Sequence, residues 1–129
     1  MSAGPKVAYL WADGKKVKKP VELSAPEYIE NLFEWTFEQL SDPQVFPQDD
    51  EAKFPRHFQK VIKTIFKRIF RMYAHVFHSH FAQLKSQGAE AHLNSSFKHM
   101  TFFILEFDLI EENELKPLDN LIQILQKRE

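Results

Sequence analysis

From Pro55 to Gln87 no glycine or proline interrupts the chain, and apolar residues recur three and four apart. Phe58, Ile62, Ile65, Ile69, Tyr73 and Val76 form that stripe, and Val61, Phe66, Phe70 and Phe77 widen it. This period predicts either one long helix over 55–87 or two helices meeting at a bend, with Gly88 as the stop. Upstream, residues 24–41 read as a helix. Ser24 is the N-cap, Pro26 stands in the first turn, and Glu27 follows the cap by three residues as in a capping box. Tyr28, Leu32, Trp35, Phe37 and Leu40 approximate its inner face, while Glu27, Glu30, Glu34 and Glu38 line another.

Residues 89–109 are so apolar between Phe97 and Phe107 that this helix is expected at the centre of a bundle. A shorter acidic helix is expected over 112–128, with Pro117 near its first turn and Leu118, Leu121, Ile122 and Leu125 facing inward. Its last turn holds Lys127 and Arg128, which suits the helix dipole. Val45 and Phe46 lie in a proline-bounded loop and are expected to tuck back onto the core. The first 21 residues read as a β-hairpin at the domain edge: VAYLW, a turn at Asp13-Gly14, then KKVKK, ended by Pro20. The expected architecture is all-α, one domain over 1–129, a helical bundle with a short N-terminal hairpin.

Composition narrows the chemistry. Thirteen phenylalanines promise a core of flat, bulky rings in a chain of 129 residues, long enough to fold without covalent staples. The absence of cysteine excludes disulfides and cysteine-ligated zinc within this chain, leaving His, Asp and Glu as metal ligands. No apolar run reaches the roughly 18 residues that would span a bilayer, and the start lacks a signal peptide's apolar stretch. A soluble intracellular protein follows as the expectation, cytoplasmic with the nucleus as a second compartment.

The net charge of −1 hides a strong segregation. Residues 1–51 carry ten acids and five bases, residues 53–89 carry eight bases and no acid, and residues 105–129 carry seven acids against three bases. A central cation of this kind suits phosphate on a peptide, phosphate on nucleic acid, or the protein's own acidic segments.

The stretch KRIFRMYAHVFHSHF, residues 67–81, concentrates that question. His75 and His78 share a helical face, whereas His75 and His80 differ by about 140° on an ideal helix, so only the first pair could chelate without a bend. Two histidines do not complete a zinc site, and no glutamate stands beside them as in HExxH. Lys63, Lys67 and Arg71, spaced by four, form one stripe, with Arg68 one position round the helix. Such a stripe is either neutralised by Glu27, Glu34 or a C-terminal carboxylate, or it is a phosphate clamp in which arginine's planar fork takes two oxygens. A nucleic-acid groove would need cations over a longer surface with interleaved exposed aromatics.

AYLWADGKKVKKP, SAPEYIENLFEWTFEQLSDPQVFP, FPRHFQKVIKTIFKRIFRMYAHVFHSHF, EAHLNSSFKHM and LEFDLIEENELKPLDNLI occur in one order across nearly the whole chain. Together they resemble the Mob (Mps-one-binder, phocein) family of kinase coactivators. The resemblance implies a four-helix-bundle fold and no catalytic residue. It also implies a non-enzymatic adaptor that binds NDR/LATS-type kinases and phosphorylated upstream kinases or scaffolds, in mitotic exit, cytokinesis or Hippo-type signalling. On it, Lys67, Arg68 and Arg71 match the family's phosphothreonine pocket, Lys18 and Lys19 match a second basic pair, and His75 and His80, but not His78, match zinc ligands. If so, the helix must bend between Ala74 and His80. Family members carry two zinc cysteines and the main acidic kinase-binding helices upstream of the SAGP segment, whereas this chain begins at Met1-Ser2-Ala3-Gly4-Pro5. A fragment or shortened product is therefore expected, with half a zinc site and an uncovered apolar patch that lowers stability or drives self-association. The alternatives left open are a bundle binding nucleic acid through residues 53–89 and a histidine-ligated metal protein.

Overall fold

The computed structural model describes residues 1–4, 8–14, 17–47 and 53–127. Val7, Lys15 and Lys16 of the expected hairpin, Arg128, and the side chains of Leu125 and Lys127 lie outside the described residues. The elements run β1 (Leu10–Trp11), β2 (Val21–Glu22), α1 (Ala25–Ser41), α2 (Phe58–Ser79), α3 (Phe81–Ser86), α4 (Glu90–Phe107), α5 (Glu112–Leu115), a 3-10 turn (Lys116–Leu118) and α6 (Asp119–Lys127). This is an all-α fold carrying a two-stranded antiparallel ribbon at its N-terminal end.

The ribbon differs from the expected hairpin. Leu10 pairs with Glu22 and Trp11 with Val21, so Val17, Lys18 and Lys19 lie in the connection and not in a strand. The Asp13-Gly14 turn exists within that connection: the amides of Asp13 and Gly14 donate to the Val17 carbonyl (3.0 and 3.2 Å), and the Val17 amide donates to Asp13 Oδ1 (2.9 Å). Gly14 sits at φ +77°, where a Cβ would be strained. Nor is this segment peripheral. Trp11 and Tyr9 are buried in the same apolar cluster as Tyr28 and Leu32 of α1, Phe70 and Ala74 of α2, and Phe97, Met100 and Ile104 of α4. One tryptophan that must be buried sets the register.

α1 begins at the expected N-cap: the Glu27 amide donates to Ser24 Oγ at 3.4 Å, while Glu27 Oε1 accepts from the Ser24 hydroxyl at 2.9 Å in place of the backbone amide that completes a capping box. Ser24→Ala is expected to cost about 1 kcal/mol in urea denaturation, the usual worth of an N-cap. Tyr28 and Leu32 are buried and Trp35 is half-buried, but Phe37 (70 % exposed) and Leu40 (52 %) turn outward beside Phe33 (58 %). The inner face of α1 is therefore one-sided and shorter than the apolar count implies.

α4 shows the same correction. Phe97, Met100, Thr101 and Ile104 are buried, while Phe103, Leu105 and Phe107 are exposed, so this helix does not occupy the bundle's centre. Phe70 and Ala74 of α2 are enclosed to the same degree as Phe97. Val45 is buried and Phe46 packs edge-on against Phe58, as expected of that loop. Past Glu111 the chain is a broken helix: Pro117 stands in the 3-10 turn between α5 and α6, and Leu118 and Ile122 carry the inward contact.

The long basic segment is two helices. α2 ends at Ser79, His80 adopts φ −131° and ψ 5°, and α3 starts at Phe81. Gly88 at φ +76° follows α3, its amide donating to the Lys85 carbonyl.

Candidate functional site

The cations of α2 do three different things. Lys67 Nζ and Arg71 Nη2 each stand 3.4 Å from the same atom, Glu114 Oε1 of α5. The neutralising group is thus a C-terminal carboxylate; Glu27 is taken up in its helix cap. Contacts of 3.4 Å are at the outer edge of a charge-assisted hydrogen bond, so Glu114 balances the pair without gripping it. Exposure decides which partner is reachable: the Lys67 side chain is 42 % exposed, Glu114 26 % and Arg71 19 %. Arg71 also lies 5.1 Å over the Tyr9 ring. Burial pushes the Tyr9 phenol up to about 12, with the Arg71 cation pulling partly the other way, so Tyr9 is a neutral floor under the site.

Arg68 turns inward. Its guanidinium lies 4.6 Å from the Trp11 ring centroid and 4.3 Å from that of Trp35, and Nη2 donates to the Ala12 carbonyl at 2.7 Å. The two indoles meet edge to face at 6.2 Å. Burial lowers the Arg68 pKa, while Tyr28 and Asp13 act in the opposite sense. Arginine remains charged throughout the ordinary range, so Arg68 contributes a fixed positive charge beneath the site while its fork is occupied by the ribbon. Lys18 and Lys19 are exposed in the connection entering β2. Among the described residues no recorded contact joins them to Lys67 or Arg71. Lys63 is exposed on the same helix.

The bend at His80 brings His75 and His80 together, Nε2 to Nε2, at 3.0 Å. The pair that an ideal helix would favour, His75 and His78, is not the one that meets. His78 Nε2 instead lies 2.8 Å from the Pro117 carbonyl and must donate to it. The buried His75 has Nδ1 at 2.7 Å from the Ser2 carbonyl, which can only accept, so Nδ1 donates to it and Nε2 is the atom that faces His80. One hydrogen bond joins the two Nε2 atoms, or both present lone pairs to a cation. The donor chemistry fits a zinc ion as two of four ligands, with His75 oriented by a backbone carbonyl as zinc-binding histidines usually are. Among the described residues no group of three His, Cys, Asp or Glu converges on one point.

Helices packed around an aromatic core, with Lys67 and Arg71 of α2 sharing the Glu114 carboxylate at the surface, define an all-α domain. The Mob1/phocein family model matches residues 1–118, and the chain belongs to that family. It is 53 % identical over 127 residues to MOB kinase activator-like 1 homolog B of Dictyostelium discoideum, covering 98 % of this chain and 59 % of the relative. It is 56 % identical over 122 residues to MOB kinase activator-like 1A of Medicago sativa subsp. falcata, covering 95 % and 57 %. With MOB kinase activator-like 1B of Arabidopsis thaliana the identity is 54 % over 123 residues, covering 95 % and 57 %. The chain therefore spans under two thirds of the length of these curated relatives. No helix among the described residues is long and apolar enough to cross a membrane.

Two participants carry little or no signal along the chain. Glu114 has only the acidity of its segment to mark it. The corner that Trp11 and Trp35 make for Arg68 has no marker, because the three residues come from three separate elements.

Proposed function

We propose that this chain is a non-catalytic adaptor that docks a phosphothreonine peptide at Lys67 and Arg71, with Arg68 holding the charge beneath and Lys18 and Lys19 as an outlying pair. The observation that carries the reading is the shared carboxylate: one Glu114 oxygen occupies, at 3.4 Å from both cations, the position a phosphoryl oxygen would take. A phosphate at neutral pH carries about −1.5 to −2 charges and three acceptor oxygens against the carboxylate's single charge, so it displaces Glu114. Family membership and relatives named as kinase activators support a protein kinase as partner, of the NDR/LATS type, with a phosphorylated upstream kinase or scaffold as the docked peptide. Mitotic exit, cytokinesis or Hippo-type growth control is the corresponding setting.

Fluorescence-polarisation titration of a threonine-phosphorylated peptide and its unphosphorylated twin tests this. Phosphate-dependent binding is expected, tightening by about fivefold in Glu114→Gln, where the competing charge is gone. Equal weak binding of both peptides would overturn the reading.

Zinc belongs to this proposal as a structural ion at His75 and His80. Its expected signature is stoichiometric zinc by elemental analysis that falls in His80→Ala, a substitution at an exposed side chain. Phe33, Phe37 and Leu40 on α1 and Phe103 and Phe107 on α4 leave apolar surface in water, and concentration-dependent association by light scattering is the expected consequence.

A further inference from the structure

A groove of about 580 Å³ continues from Lys67 along the first half of α2. One wall is Arg56, Lys60, Lys63 and Lys67, and the other is the segment from Leu109 to Glu114. Arg56, Lys60 and Lys63 are exposed, and no recorded ion pair joins them to a carboxylate among the described residues. Glu111 and Glu114 stand on the opposite wall. Lys67 belongs both to this groove and to the pair facing Glu114, so the two surfaces are continuous.

We infer that the groove reads acidic residues flanking the phosphothreonine, on one side of it only; this rests on the phosphopeptide reading above. The spacing sets the positions. Along a helix rising about 1.5 Å per residue, Lys63 lies roughly 6 Å and Lys60 roughly 10 Å from Lys67. An extended peptide advances about 3.3 Å per residue and alternates its side chains, so a carboxylate two residues from the phosphothreonine shares its face and comes opposite Lys63, and one four residues away, about 13 Å along, comes between Lys60 and Arg56. A single charged groove extending in one direction from the phosphate requires the preference to be one-sided. A continuous phosphate backbone fits less well, because Glu111 and Glu114 would face it along the second wall, whereas a peptide places charge only where the lysines stand.

The test uses three phosphothreonine peptides of equal length: neutral flanks, glutamates two and four residues before the phosphothreonine, and glutamates two and four residues after it. Each is titrated by fluorescence polarisation against the chain and against Lys60→Ala/Lys63→Ala, which alters only exposed side chains. One acidic peptide is expected to bind about fivefold tighter than the neutral one, the scale of one or two exposed ion pairs. That gain is expected to vanish in the double variant while phosphate-dependent binding persists. Equal affinity of all three phosphopeptides, equal gains from both acidic ones, or an undiminished gain in the double variant would overturn the inference and leave the phosphate site standing. An oligonucleotide that displaces the acidic peptide at equal charge concentration would overturn it in favour of nucleic acid. Absence of any phosphate-dependent binding would remove the parent reading and this inference with it.

Discussion

Arg68→Ala is expected to lower the stability of the fold by about 3 kcal/mol. Two cation–π contacts of a desolvated guanidinium and one charge-assisted hydrogen bond are lost together, each worth on the order of 1 kcal/mol or more. The cavity lies in the corner formed by Trp11 and Trp35, so the ribbon loses its tie to α2 through Ala12 as well. Arg68→Lys should recover less than half of the loss, because an ammonium keeps the charge but neither lies flat against the indoles nor reaches the Ala12 carbonyl with the same fork. Urea denaturation followed by tryptophan fluorescence reads both. A loss below about 1 kcal/mol in Arg68→Ala would show that this corner does not hold the ribbon. Charge reversal at Arg68 therefore measures folding as much as phosphate binding, and peptide docking is better tested at Lys67 and Arg71.

At those positions Lys67→Ala/Arg71→Ala is expected to weaken phosphopeptide binding by about 100-fold, the equivalent of two charge-assisted contacts at roughly 1.5 kcal/mol each. The same double variant is expected to cost about 1–2 kcal/mol, less than Arg68→Ala. Lys67 is partly exposed and both contacts to Glu114 are long, so most of that cost comes from Arg71, which is 19 % exposed and loses its contact over Tyr9. The contrast between the two experiments is the informative result: one arginine of the cluster serves the fold, and its neighbours serve the surface. Phosphopeptide affinity unchanged in the double variant would place the docking site elsewhere.

Helix content was legible where a stripe had two independent supports. The α1 start had a cap residue and a proline that stand where expected, while its glutamate accepts from the cap hydroxyl and not from the cap amide. α2 had ten apolar positions in register over its length, and Phe70 lies at the resulting contact. The apolar count misled where one face sufficed: Phe37, Leu40, Phe103 and Phe107 read as core but are exposed, because periodicity records which residues share a face and not whether anything covers it. The N-terminal ribbon forms and so does the Asp13-Gly14 turn, but the second strand lies at Val21–Glu22, where pairing with Leu10–Trp11 keeps Trp11 buried against Tyr28.

The cation cluster divided in the same way. Spacing placed Lys63, Lys67 and Arg71 on one stripe and Arg68 beside it, and the helix honours that placement. Which of them reaches solvent depended on what α1 and the ribbon brought alongside. His75 and His80 make the point most sharply, since an ideal helix separates them and the break at residue 80 joins them.

By itself the sequence determined the helical class, the helix starts and stops that rest on caps and glycines, the segregation of charge along the chain, and the absence of cysteine ligands. These are local or compositional properties, fixed by backbone and side-chain chemistry within a turn or two. Only the tertiary structure decided that Arg68 is enclosed while Lys67 is reachable, that Glu114 is the counter-ion, and that His75 meets His80. Each depends on residues from different elements converging within a few ångströms, and burial and Coulomb energy are set by that convergence and not by separation along the chain.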